Sequence, residues 1–271
     1  MIPAGDLAFV SALCLQQAGL KVDADKFYLI ESRLAPVARR EGFDTPESFI
    51  ETLRLRGDAR MAWAAVEAMA LPEPEFFRDR VVFQQLSETV LPELARARGG
   101  EPLRVWSAAC GTGQEIYSLA MMLADDPGVA GRVELFGSDL SERSLEKAQA
   151  GIYSQFEVQR GLPARTLVRH FEKIGESFVL SPRIRQMVRW RRVNLLDDLG
   201  RGGQFDLVLC RGVLHQLSSE AQDKVLDHLA GALAPGGRLV LGLKDTPGLE
   251  FARLGPGIYG DAAQGAERSA A

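Results

Sequence analysis

From residue 103 onward, short apolar runs rich in β-branched and aromatic residues alternate with segments of helical length. The runs are LRVWSA (103–108), RVELFGS (132–138), MVRWRRV (187–193), FDLVLC (205–210) and GRLVLGL (237–243). Helices are expected near 114–125, 141–150 and 219–233. Strands separated by helices pair in parallel, with the helices covering both faces of the sheet. The pattern therefore predicts a doubly wound α/β domain. The Pro235-Gly236-Gly237 run predicts a turn ahead of the last strand. Residues 154–187 are less regular and leave room for a small insertion.

The first seventy residues obey a different period. Phe9, Val10, Leu13 and Cys14 share one helical face, with Gly19 as a natural stop. Phe27, Ile30, Leu34 and Val37 form a second stripe, in which Pro36 is expected to kink or shorten the helix. A third helix begins near Phe49, and a fourth runs from Met61 to Met69. Pro72 and Pro74 mark the change of pattern, and a helix is expected to start with FFRD (76–79). The organisation read from the chain is a small all-α N-terminal domain (1–71), an α/β domain (72–260) and a flexible tail (261–271).

Composition narrows the classes of function. A net charge of −4 argues against a nucleic-acid partner. No apolar run reaches membrane-spanning length, so no membrane insertion is expected. The N-terminus is apolar but lacks a positively charged region, and reads as a first helix rather than a signal peptide. Cys14, Cys110 and Cys210 are an odd number without metal spacing, which fits free thiols in a reducing cytoplasm and no metal site.

The chemistry centres on VWSAACGTGQE (105–115). In a doubly wound sheet the ligand lies at the carboxyl ends of the strands, beside the first strand-to-helix turn. Gly111 and Gly113 remove side chains there, so that backbone N–H groups can meet a ligand. Dinucleotides and S-adenosylmethionine both use this geometry. The dinucleotide fingerprint requires a third glycine, where this chain has Ile116, and Glu115 is unfavourable beside a pyrophosphate. Asp139, at the end of the next strand, suits the two hydroxyls of a ribose, although it could instead cap the following helix.

The order of motifs is similar to that of one family, the CheR-type chemotaxis receptor (protein-glutamate) O-methyltransferases. QQAGL and ESRLAPVARREGF in the helical part, then FFRD, VWSAACGTGQEIYSLAM, SDLSERSLEKAQAGIY, VNLL and CRGVL, follow the family in order and spacing. The resemblance implies a Rossmann-like fold with a small inserted β subdomain in 154–187, which uses S-adenosylmethionine and yields S-adenosylhomocysteine. It implies methylation of glutamate side chains on the cytoplasmic helices of methyl-accepting chemotaxis receptors. By the same resemblance Arg78 lies at the catalytic centre. Ala108, Gly111 and Glu115 approach the cofactor, Asp139 holds its ribose, Asn194 and Leu195 frame the adenine, and Arg211 lies beside it.

The chain also departs from the family. Pro74 replaces a threonine, Gln114 the first of two glutamates, Gly212 an asparagine, and Gln216 a tyrosine that stands near the transferred methyl group. Pro74 and Gly212 are thus expected at the cofactor and Gln216 at the reacting centre. These changes leave a second reading open: a weakened paralogue that binds S-adenosylmethionine or its product and acts as a regulatory module. Lys26, Arg33 and Arg40 recur at every seventh position, giving a charged face that is either simply solvated or steers an acidic receptor helix. His215 reads as a solvent-facing or partly buried histidine. The 154–187 insertion looks shorter than the version that binds a receptor's C-terminal pentapeptide, so no tether binding is expected.

Overall fold

The structure, a computed structural model, describes residues 2–22, 27–70, 74–126, 133–199, 203–248 and 251–261. It divides into two compact units. One comprises residues 1–71 and 213–225, the other 72–212 and 226–271. The return of 213–225 to the helical unit is not foreseen by the composition boundary at 72. Among the described residues no helix is long and apolar enough to cross a membrane.

The helical unit is built from α1 (Ala4–Ala18), α2 (Phe27–Arg40), α3 (Pro46–Arg56) and α4 (Ala59–Met69). Gly19 ends α1 in the left-handed region, as its position suggests. Thr45 and Asp58 cap α3 and α4 by accepting from Ser48 and from Arg60 and Met61. Pro36 does not shorten α2, which continues to Arg40. An interior proline costs about 3 kcal/mol. Burial of Ile30, Leu34 and Val37 on the same helix contributes about 1.5–3 kcal/mol each. Packing therefore outweighs the missing hydrogen bond, and the Pro36 ring stays exposed. In the same unit, Leu20 bridges Leu217, Lys21 N–H donates to Gln216 O (2.8 Å) and Ser218 N–H donates to Gly19 O (2.8 Å).

The α/β unit opens with α5 (Arg80–Gln85), a π-helical turn (Leu86–Val90) and α6 (Leu91–Ala97). Phe76 to Asp79 lie outside the helix, contrary to expectation. Phe77 (φ 49°) and Asp79 (φ 55°) are in the left-handed region, which an α-helix does not admit.

The main sheet contains β1 (Leu103–Ala108), β2 (Val133–Asp139), β6 (Val188–Arg192), β7 (Phe205–Cys210), β8 (Leu233–Leu241), β9 (Phe251–Gly255) and β10 (Ile258–Asp261). Its order is β6-β2-β1-β7-β8-β10-β9, parallel from β6 to β8 and antiparallel at β10 and β9. Helices α7 (Gln114–Asp125), α8 (Glu142–Ala150) and α12 (Ser219–Gly231) provide crossovers. β7 is buried at every position, as a central parallel strand requires. Its Asp206 accepts from Arg98 Nε (2.6 Å) and from Arg104 N–H (2.8 Å).

Pro235-Gly236-Gly237 does not form a separate turn. β8 starts earlier, at Leu233, and its register against β7 shifts between Phe205 and Leu207, so these residues form a bulge within the strand. β9 and β10 carry no signal that the sequence pattern picks out. Asp261 belongs to β10, and the rest of the expected tail, 262–271, lies outside the described residues.

The insertion between β2 and β6 is a second sheet of order β3-β5-β4. It consists of β3 (Ile152–Ser154), β4 (Phe171–Ile174) and β5 (Ser177–Leu180), with α9 (Gln155–Gln159), α10 (Ala164–His170) and α11 (Pro182–Arg185). All its strand pairs are antiparallel.

Candidate active site

The sheet order reverses between β1 and β7: from β1 the chain moves out to β2 and β6, then returns to the other side of β1. At such a switch point the loops leaving the two strands diverge and open a crevice at the carboxyl ends. Ala108 ends β1, is 1% exposed, and sits level with Ser138 of β2 and Cys210 of β7. Asp139 ends β2, Asn194 and Leu195 follow β6, and Arg211 and Gly212 follow β7. The fold thus gathers Ala108, Gly111, Glu115, Asp139, Asn194, Leu195, Arg211 and Gly212 at one edge of one sheet.

The glycine loop works differently from the sequence expectation. The Gly111 N–H donates to Asp139 Oδ2 (2.8 Å), and the Gly113 N–H donates to Cys110 O (3.0 Å). Both amides are engaged within the protein. A side chain at Gly113 (φ 90°) would press on Ala148, Trp190 and Tyr117, at 3.0–3.2 Å. Gly113 is thus required for its left-handed start of α7 and for packing. Ala109 is also left-handed (φ 54°).

Asp139 does not cap α8: Ser141 does, accepting from Ser144 N–H. The Asp139 carboxylate instead accepts from Gly111 N–H and, through Oδ1, from Ser141 N–H (2.9 Å). Burial lifts its pKa above the ordinary aspartate value, against backbone N–H groups of Ser141, Gly111 and Leu140 that act the other way. Cys110, in the same loop, has its thiol pushed well up, first by burial and then by the charges of Asp139 and Glu115. It is a small buried filler, not a nucleophile.

Opposite the loop lies the turn that carries Arg78. Four hydrogen bonds hold it. Phe76 N–H donates to Arg160 O (3.2 Å) and Phe77 N–H to Ser118 Oγ (2.9 Å). The Arg78 carbonyl accepts from Arg211 Nη1 (3.1 Å), and the Asp79 carboxylate accepts from Arg211 Nη2. The Arg211 side chain is 2% exposed and also pairs with Glu115 (3.0 Å), which accepts from Ser107 Oγ (3.1 Å). A buried cation between two carboxylates is compensated on both sides. Left-handed residues such as Phe77 and Asp79, which flank Arg78, cost about 1–3 kcal/mol each and persist only when their surroundings over-determine them. Gly212 (φ 77°) leaves room for the Arg78 guanidinium, because a Cβ there would stand 2.8 Å from Arg78 Nη1.

Asn194 Oδ1 accepts from Leu196 N–H (3.1 Å), and the Leu195 carbonyl accepts from His228 Nδ1 (2.9 Å). Pro74 is partly buried, two residues ahead of Phe76. Gln216 lies on a 3₁₀ turn (Leu214–Gln216) that belongs to the helical unit. His215 on the same turn is exposed. In the helical unit Arg33 donates to Met69 O (3.3 Å), and Arg40 is exposed beside Glu41 (3.4 Å). Both lie on α2, seven positions apart, and Lys26 lies outside the described residues. Asp79, Ser118, Tyr153 and Trp190 are the residues that the sequence reading overlooked. The first three sit inside motifs that it quoted, and Trp190 packs on Gly113, Gly137 and Tyr117.

The carboxylates of Asp139 and Glu115 around an engaged glycine loop suit a diol and a cationic group, not a phosphate. Comparison with known proteins agrees. The family described as CheR methyltransferase, SAM binding domain matches residues 73–248. The chain belongs to the CheR methyltransferase family. It is a methyltransferase that uses S-adenosylmethionine. It is 37% identical to chemotaxis protein methyltransferase 1 of Pseudomonas aeruginosa over 235 residues, 84% of this chain and 85% of that protein. It is 33% identical to the chemotaxis protein methyltransferase of Vibrio parahaemolyticus over 252 residues, 89% of this chain and 91% of that protein. A probable biofilm formation methyltransferase, WspC of Pseudomonas putida, is 36% identical over 205 residues, 75% of this chain and 48% of that protein. Among the described residues no cluster of side chains fit to hold a metal ion occurs in this methyltransferase.

Proposed function

We propose that the chain methylates glutamate side chains on the cytoplasmic helices of chemoreceptors, in the cytoplasm. The names of the relatives, which it matches over most of their length, support that substrate class. The observation that carries the reading is the over-determined turn that holds Arg78 beside Gly212, next to the Arg211–Glu115 pair.

In this reading Asp139 accepts the ribose hydroxyls, and Asn194 and Leu195 flank the adenine. Pro74, Ala108, Gly111 and Glu115 line the methionine part; Arg211, set beside the adenine by the family resemblance, is paired with Glu115 and stands behind them with Gly212. When bound, S-adenosylmethionine supplies a methyl group on a positively charged sulfur. The acceptor glutamate, with an ordinary pKa near 4.3, is already ionised at neutral pH, so the protein needs no general base. Arg78 orients that carboxylate through its planar guanidinium fork. The transfer removes a pair of opposite charges, so a site that excludes water favours it. The chain's task is alignment of the reacting atoms.

The test is transfer of labelled methyl from S-adenosylmethionine to receptor cytoplasmic fragments. Alkali-labile incorporation that falls about 100-fold in kcat/KM in Arg78→Ala supports the reading. Incorporation indifferent to Arg78, or binding of the cofactor without transfer to any fragment, overturns it.

A further inference from the structure

We infer that Tyr153 is a positioning residue for methyl transfer: its hydroxyl pins the cofactor loop, and its ring braces the turn that carries Arg78. The inference deepens the proposed function and rests on the glycine loop being the cofactor's loop.

Tyr153 belongs to β3 of the inserted sheet and is 1% exposed. Its hydroxyl donates to Thr112 O at 2.8 Å. Thr112 C=O and Gly113 N–H belong to one planar peptide unit. Tyr153 holds the carbonyl end of that unit, and Cys110 O accepts from the N–H end at 3.0 Å. A peptide held at both ends cannot flip. The path of the loop from Cys110 into α7 is therefore set by a side chain from the insertion. Burial pushes the Tyr153 phenol well above its ordinary pKa, so the group stays protonated and remains a donor at working pH.

The ring has a second contact. It meets Phe76 edge-on at 5.2 Å between centroids, and Phe171 of β4 completes the cluster at 5.8 Å from Phe76 and 6.2 Å from Tyr153. Phe76 is fully buried and leads directly into the left-handed Phe77. The backbone at 160–161 closes on the same residue. Phe76 N–H donates to Arg160 O, and a Cβ on Gly161 would stand 1.8 Å from Phe76 O. One tyrosine therefore touches both halves of the site, the loop through its oxygen and the turn through its ring.

The two contacts separate by substitution. Tyr153→Phe keeps the ring and removes the tether. It leaves a buried carbonyl without its partner, so affinity for S-adenosylmethionine in calorimetric titration should fall about tenfold. Its kcat at saturating cofactor should stay within about twofold of the parent, because the ring still braces the turn. Tyr153→Leu should lower kcat as well. Hydrogen exchange at the Gly113 amide, slow in the parent, should quicken in Tyr153→Phe, a readout independent of activity. Unchanged affinity and unchanged Gly113 exchange in Tyr153→Phe would overturn the inference. So would a uniform loss of affinity, kcat and thermal midpoint, the mark of a purely structural role. Asp139→Asn is the reference. If it weakens binding while Tyr153→Phe does not, this inference alone fails. If neither matters, the site assignment fails and takes the inference with it.

Discussion

The guanidinium of Arg211 is bonded to the carboxylate of Asp79, 132 positions away in the chain, and the same cation meets Glu115 on its other side. The residue that follows β7 thereby ties the turn ahead of α5 to the helix that follows the glycine loop.

Arg211→Ala leaves Asp79 and Glu115 facing each other without a cation and frees the Arg78 carbonyl. Removing one partner of a buried ion pair costs about 3–5 kcal/mol. We expect a lower denaturation midpoint in urea and near-complete loss of transfer. Arg211→Lys keeps the charge but not the fork, and should recover stability better than activity. A variant at residue 211 with parental stability and parental turnover would contradict this view of the turn.

Asp139 gives the pH dependence. Its pKa is raised in the folded protein, so the folded state holds the proton more tightly than the unfolded one. This group's contribution to stability is therefore fully present below the unfolded value and is lost as pH rises through the raised folded value. Cofactor binding has the opposite slope, because the ionised carboxylate accepts the ribose hydroxyls. Affinity for S-adenosylmethionine should decline on acidification at a higher pH than an ordinary aspartate would give, with proton release on binding in that range. Titration calorimetry in two buffers of different ionisation enthalpy reads the proton directly. A flat affinity profile through the acid range would dismiss Asp139 as the ribose acceptor.

Gly161→Ala should be among the most damaging conservative changes in the chain. The added methyl would overlap the Phe76 carbonyl, and φ at this position is +82°. Backbone on backbone leaves nothing flexible to yield. Substitutions that conflict with a left-handed backbone cost about 1 kcal/mol or more before any clash. The expected result is a destabilised protein with a weakened Arg78 turn, seen as a lower thermal midpoint and reduced kcat. Gly175→Ala serves as the comparison: it shares a positive φ (+59°) but has nothing within 4 Å of a Cβ, so it isolates the conformational part.

Much of the fold is legible in the sequence, for identifiable reasons. A parallel strand buried on both faces reads as a continuous apolar run, and FDLVLC at 205–210 is such a run. Gly19 marks the end of α1 because only a left-handed residue closes it there. The motifs that bring Arg78, Glu115, Asp139 and Arg211 to one sheet edge are short and local. Less legible is whatever depends on contacts distant in sequence. Pro36 reads as a break, yet the buried face of α2 carries the helix past it. FFRD reads as a helix start, but bonds from Arg160, Ser118 and Arg211 hold those residues in a turn. Tyr153 shows no role in its local sequence, because its partner Thr112 lies 41 positions away.

Residues 213–225 belong to the helical unit although they follow β7 of the other. Leu217, Ala221 and Val225 are buried there, and the backbone at 216 and 218 is bonded to that at 21 and 19. The helical unit is therefore discontinuous in the chain. Cutting the polypeptide once near residue 71 would not release a complete module, because the missing piece would stay on the other fragment. Exchange of this unit between related enzymes would require three crossovers, near residues 71, 212 and 225, so the N-terminal helices and the segment after β7 would have to be replaced together.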